Sequence, residues 1–288
     1  MKNSFLILAI VSCFLFSCDY VDVPVPSSST SGGADTFLTR KILIEDYTGH
    51  KCHNCPPAAA TIEQIKNKYG SKIISIGIHA GGLADPVAGS ASLYKYDFRT
   101  TTGTAYYDFF QINASGGIPK GMVNRIGYSS TTSPLLDYGN WSSFVENIIH
   151  DSAKVDLKIS NSYDSGSRSL NTTIKSRFLN VLSGDDFKLV VLLTEDSIVA
   201  TQLMPDGVTP QDSIHYLHHF ALRDVINNTW GDTIVGVAST TNTTDTIINN
   251  YPSYLLNSTW NQDQCYIVAF IYKYSNYEIL QVDQKKIK

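Results

Sequence analysis

KILIEDYTGHKCHNCPPAAATIEQIKNKY, residues 41–69, sets the fold of this chain. Residues 41–46 are an apolar run of strand length, followed by a turn, Cys52 and Cys55, and then a segment with helical periodicity. Pro56 and Pro57 suit a first helical turn, where backbone N–H groups have no partner within the helix. Ala58, Ile62 and Ile65 share one face, while Glu63, Lys66 and Lys68 point to water. Two thiols at a helix start are placed for disulfide chemistry, because the unpaired N–H groups and the helix dipole favour a thiolate. Cys52 is expected to face solvent, and Lys51 and His53 beside it should lower its pKa further. Residues 72–79, KIISIGIH, read as a second buried strand. Strand, helix and strand make a βαβ unit, for which a right-handed crossover is expected.

Upstream, Lys2 precedes an apolar run over residues 5–16 that is too short to span a bilayer. Residues 1–17 end in Leu15-Phe16-Ser17 and are followed by Cys18. A small residue and then Cys after such a run resembles a bacterial lipoprotein signal. That likeness implies a lipid anchor on Cys18 as the first mature residue; an ordinary secretory peptide cut nearby is the alternative. Residues 18–36 carry Pro, Ser, Thr and Gly in place of apolar residues and read as a flexible tether. An exported chain meets oxidising conditions, so Cys52 and Cys55 are expected to be bonded at rest. Cys265, inside the apolar run CYIVAFIY, reads as a small buried hydrophobe.

With 288 residues the chain has room for two domains. Residues 80–113 read as an insertion with short helices near 92–98 and 103–110, covering part of the cysteine pair's surroundings. Residues 121–128 read as a strand and 141–150 as an amphipathic helix bearing Trp141, Phe144, Val145 and Ile148 on one face. From residue 153 the period changes to two, with strands near 153–160, 170–178, 187–194, 216–225, 266–274 and 278–287. The expected class is therefore an α/β domain over residues 37–151, followed by an all-β sandwich over 152–288.

The cysteine pair on its helix, with Gly117-Ile118-Pro119 before a later strand, resembles the thioredoxin fold. The resemblance implies Cys52 as nucleophile, Cys55 as resolving thiol, Asp46 as a buried proton acceptor six residues before Cys52, and Pro119 as the cis-proline of a substrate loop. Lys51 stands where that family usually has Trp, and His53-Asn54 where it usually has Gly-Pro. A closed disulfide that staples a turn is the other reading of the pair. Taken whole, the sequence resembles the Omp lipoproteins of twenty-eight-kilodalton type from the Bacteroidetes outer membrane. That likeness rests on LIEDYTGHKCHNCPP, GGIPKGMVNR, HYLHHFALRDV before Trp230-Gly231, and CYIVAFIY with ILQV. It implies an outer membrane address, at the cell surface or periplasmic face. It also leaves two functions open: thiol–disulfide exchange on exported proteins, or an adhesin or receptor that binds a protein partner and uses the thioredoxin-like fold only as scaffold.

Other chemistries find no support in the residues. The formal net charge of −4 becomes −5 once Lys2 is removed with residues 1–17, and there is no basic run interleaved with aromatics, so nucleic acid is not expected as a partner. No cofactor is expected, since the glycine pairs at 81 and 116 are not a phosphate loop. No metal site is expected either: His215, His218 and His219 cannot all converge from one strand, and hydrogen bonding within a sheet is their expected role.

Overall fold

A computed structural model describes residues 38–89, 91–129 and 131–288. The signal, Cys18 and the tether lie outside these residues. The apolar run at the start forms β1 (Ile42–Thr48), and the cysteine pair leads into α1 (Cys55–Tyr69) and then β2 (Ile73–His79). Next come α2 (Thr101–Phe109), β3 (Lys120–Val123) and α3 (Trp141–Ile148). Beyond them lie β4 (Val155–Asp164), β5 (Ser169–Phe178), β6 (Phe187–Glu195), β7 (Ile198–Leu203) and β8 (Asp212–His218). The chain ends with β9 (Ala221–Val225), β10 (Asp232–Val235), β11 (Ile247–Leu255), β12 (Cys265–Lys273) and β13 (Ile279–Lys286).

Eight strands form one mixed sheet in the order β13-β12-β6-β9-β2-β1-β3, with β10 added to β6. β1 and β2 pair in parallel across α1, whereas β3 runs antiparallel to β1. The sheet continues through residue 152: β1, β2 and β3 precede that point, and the other five strands follow it. A three-stranded sheet, β11-β5-β4, and a two-stranded hairpin, β7-β8, complete the β structure of the described residues.

Strand alternation assigns the two faces of the large sheet. On one face Leu43, Ile76 and Ile78 join Val190, Leu192, Val268 and Phe270, together with Tyr106 of α2. On the other, α1 and α3 cover Ile42 and Ile44 at one end. At the far end Val155, Leu157, Ile174 and Phe178 of the three-stranded sheet pack on Leu189, Val191, Ile267 and Ala269. Cys265 is fully buried in that second layer, and burial pushes its thiol up to about 12.

Three local expectations are corrected. Residues 92–98 form no helix; Tyr94, Tyr96 and Phe98 alternate with exposed neighbours along an extended segment. β3 stops at Val123 because Asn124 and Arg125 take positive φ, 48° and 52°. The run 216–225 breaks at Phe220, with φ 45°, so its halves belong to β8 and β9 in different sheets.

The turn after β3 welds the sheet. The Asn124 side chain accepts from Leu43 N–H at 2.8 Å, and its backbone carbonyl accepts from Ile279 N–H at 3.0 Å, so β1 and β13 are tied through one residue. Arg125 donates twice to Glu45, at 2.8 and 2.6 Å, and both side chains are essentially fully buried. The guanidinium lies 4.8 Å from the Tyr106 ring and 5.1 Å from Phe110 and Phe270. Burial alone would depress the Arg125 pKa, but the Glu45 carboxylate outweighs it and raises the value. Arg125→Ala leaves a buried carboxylate unpaired and is expected to cost about 3–5 kcal/mol in urea unfolding; a loss below about 1 kcal/mol would contradict this role.

Candidate functional site

At the end of β1 the alternation that sends Glu45 toward Arg125 sends Asp46 to the opposite face, beside α1. The turn beyond β1 packs closely against residues 82–84: a Cβ on Gly49 would lie 2.8 Å from the Leu83 backbone. Lys51 N–H donates to the Leu83 carbonyl at 3.0 Å, and Cys52 N–H donates back to Gly49 at 3.0 Å. These bonds set Cys52 just before α1, whose first residue is Cys55. The two are joined as a disulfide with a Cα–Cα distance of 5.4 Å. On the other side, the pairing of Tyr47 with Lys120 brings the segment before β3 alongside. The Ile118–Pro119 bond is cis, and the Ile118 carbonyl oxygen is 3.9 Å from Cys52 Sγ.

Asp46, Cys52, Cys55 and Pro119 are thus gathered at one place. Asp46 is 5% exposed and its Oδ1 has no hydrogen-bond partner. Burial alone pushes its carboxyl from 3.8 up to about 7. Asp46 and Cys55 line the same narrow cavity, of about 40 Å³, between α1, β2 and the hairpin.

The expectation of an exposed Cys52 is overturned: the residue is only 2% exposed. Its cover is the β7–β8 hairpin, a separate two-stranded sheet. Gln202 Nε2 donates to the Cys52 carbonyl at 2.9 Å, and Leu203 N–H donates to the His50 carbonyl at 2.8 Å. At the hairpin's tip Asp206 lies 3.8 Å from His53 of the dipeptide between the cysteines. The inserted segment braces the same region. His50 Nε2 donates to the Asp85 carbonyl at 3.1 Å, Phe98 packs with Ile198, and Tyr94 O–H donates to Asp212 of the hairpin.

His79 of β2, beneath this cover, meets His218 of the hairpin itself. His79 stacks on Phe98 with ring centroids 4.3 Å apart, and His218 is 4.4 Å from Phe98 and 5.4 Å from His79. Both His79 ring nitrogens and His218 Nε2 lack partners. Burial, then neighbouring His50, lowers His218 to about 3; burial, then His218, lowers His79 as well. His219 pairs with Asp196 at 2.9 Å, and His218 is hydrogen-bonded to the backbone of Ala200 and Thr201 on the paired strand, as expected of histidines within a sheet. Among the described residues no group of three or more His, Cys, Asp or Glu is arranged to hold a metal ion.

Residues 104–288 match the family described as Outer membrane protein Omp28. The chain belongs to the Omp28 family. It is therefore an outer membrane protein, the address implied by the family resemblance of its motifs. The matched region includes Pro119, Arg125 and the β7–β8 hairpin but begins after Asp46 and the cysteine pair. No curated protein is similar enough in sequence to count as a relative. Among solved structures the chain resembles HBP35 of Porphyromonas gingivalis, with TM-score 0.57 and 14% identity over 87% of this chain and 76% of that one. An Agrobacterium tumefaciens protein gives TM-score 0.48 at 12% identity, over 86% and 95% of the two chains. A domain of the outer membrane lipoprotein Omp28 from P. gingivalis gives 0.31 at 19%, over 47% of this chain and 89% of that domain. At such identities the HBP35 likeness concerns the fold alone, and the other two carry no argument.

Gln202, His79 and His218 complete the site without having been singled out for it. β1–β2 register sets Thr48 opposite His79, so the closing His of KIISIGIH shares the Asp46 face; that signal was present in the strand period. Nothing local marks Gln202, which reaches Cys52 across 150 residues.

Asp46 supplies a test by pH. Its folded carboxyl is raised above the unfolded value, so the folded state holds the extra proton. Stability from this group is intact below pH 3.8 and is lost as pH rises through about 7. At about 1.4 kcal/mol per unit, the loss is on the order of 4 kcal/mol. Asp46→Asn should gain on the wild type by that order between pH 4 and pH 8 in chemical unfolding. The comparison cancels the buried histidines, common to both proteins. A gap that stays constant across this range contradicts the assignment.

Proposed function

We propose that this protein is a lipid-anchored thiol–disulfide exchange protein of the outer membrane, acting on exported proteins through Cys52 and Cys55. The observation that carries the proposal is the unpartnered Asp46 carboxyl sharing a cavity with Cys55. A disulfide that only staples a turn has no use for a buried carboxyl, whose burial without a hydrogen bond is destabilising. Perturbed acids in a cleft beside a reactive group mark functional sites. In this reading β1, α1, β2, β3 and α3 are the thioredoxin-like part, and the strands from residue 152 onward are the sandwich-like part. Cys18 carries the lipid, and residues 18–36 are the tether.

In this reading the steps are those of thiol–disulfide exchange. A substrate thiolate attacks Cys52 and forms a mixed disulfide, while Cys55 leaves as a thiolate and Asp46 protonates it. A second substrate thiolate then attacks its own sulfur in the mixed disulfide and releases Cys52. The substrate dithiol gives up two electrons, and the cysteine pair accepts them. The turn end of the β7–β8 hairpin, at Gln202 and Leu203, must first give up its bonds to Cys52 and His50, so exchange is gated by opening of that end while His218 stays paired with Ile198.

The cover also supports a second reading, in which the disulfide stays shut and the fold is a scaffold for a surface adhesin or receptor. Reduction of insulin by dithiothreitol separates the two. Wild-type protein should accelerate it and Cys52→Ser should return it to the uncatalysed rate. Equal rates with wild type and Cys52→Ser would refute exchange, and a Cys52→Ser, Cys55→Ser double variant that keeps fold and partner binding would then favour the scaffold.

A further inference from the structure

The cavity beneath the hairpin is more than a gap behind the disulfide. Its volume of about 40 Å³ is room for about three waters, each needing roughly 10–15 Å³ by the same measure. At the closed end are Cys55, Asp46 and His79, all at least nine-tenths buried. At the rim are Glu63 and His219, whose side chains are 47% and 38% exposed. Between them stands His218, 4% exposed, on the hairpin side. Four polar atoms on this wall lack any protein partner: Asp46 Oδ1, both ring nitrogens of His79, and His218 Nε2. Buried polar groups are ordinarily satisfied, so a wall with four unsatisfied atoms calls for water.

We propose that this cavity is a water-filled proton path from solvent to Asp46, and that His79 and His218 are the positioning residues that relay the proton along it. The proposal rests on the exchange reading and extends it to two histidines and an exit. A neutral imidazole has one donor and one acceptor nitrogen, so it can take a proton on one side while releasing one from the other. His79 has both nitrogens free for this, and Phe98 stacked on its ring fixes its plane. When Cys55 leaves as a thiolate, Asp46 gives it a proton and becomes a carboxylate. His79 passes its own N–H proton through water to Asp46 and takes one at its other nitrogen from the His218 side, and solvent at the Glu63 rim supplies the last. No electron moves through the path, and the electrons come from the attacking dithiol.

The charges facing the relay oppose a resting imidazolium. His79 feels His218, His50 and Arg223, all of which disfavour its cationic form, as burial does. His218 is held neutral by burial and by His50 and His219. Asp46 on β1, Glu63 and Lys66 on α1, Tyr216 on β8, and the His219–Asp196 pair are the other titrating groups around the cavity. The histidines therefore rest neutral and act only in transit.

The test is the reduction of the protein's own disulfide by excess dithiothreitol, followed by stopped-flow thiol titration at pH 7 in H₂O and D₂O. His79→Ala and His218→Phe are each expected to slow it by about 100-fold, the usual contribution of a positioned acid or base. The equilibrium reduction potential should remain that of wild type. Added imidazole should restore the rate of His79→Ala, an effect that lost packing alone cannot produce. Rates and solvent isotope effects within twofold of wild type in both variants overturn the relay while leaving exchange intact. A wild-type disulfide inert to dithiothreitol in the folded protein overturns both.

Discussion

The buried pairing of Glu45 with Arg125 is the interaction on which the rest of the structure depends. Two charges are held in a site closed by rings from α2 and from β12, so strands far apart in sequence must be in place together before either charge is satisfied. Removing water from such a pair is costly, and only two short hydrogen bonds and the surrounding ring faces offset it. Asn124, the preceding residue, bonds to β1 and is bonded by the backbone of β13. One turn thereby locks the order of the strands that carry the cysteine pair.

Because a strand alternates, fixing Glu45 toward the cage also fixes Asp46 toward α1. One constraint thus places a paired acid on one face and an unpaired acid on the other. The first stabilises the fold, and the second lines the cavity that Cys55 also lines. Placement of Cys52 beneath β7–β8 adds a further element: the cysteine pair is covered by a piece of chain that forms a sheet of its own. A cover held by Gln202 and Leu203 can be released without unfolding the site it covers.

Much of this was legible in the sequence, and the remainder has physical reasons for being hidden. The helix after Cys55 and both strands around it follow from apolar period and spacing, and the convergence of Asp46 and Pro119 on the cysteines is what the thioredoxin resemblance implied. The cover does not, because the contact between Gln202 and Cys52 joins distant residues with no local pattern. Tyr94, Tyr96 and Phe98 alternate, but the run is too short within a polar loop to set an extended segment apart from a brief helix. The change of period near residue 152 is real, but it marks a change in what covers the strands: helices before it, a second β layer after it. One sheet carries strands from both sides. Strands β7, β10 and β11 were missed since they lack a clean apolar alternation: the buried residues of β7 include Thr201 and Gln202, and the less exposed positions of β11 include Asn249.

The reduction potential of Cys52–Cys55, measured by equilibration of the full chain against glutathione or dithiothreitol buffers, addresses the central claim most directly. An exchange centre is expected to titrate above about −300 mV, within reach of the thiols it must trade with. A value well below about −300 mV would mark a structural bridge and contradict it.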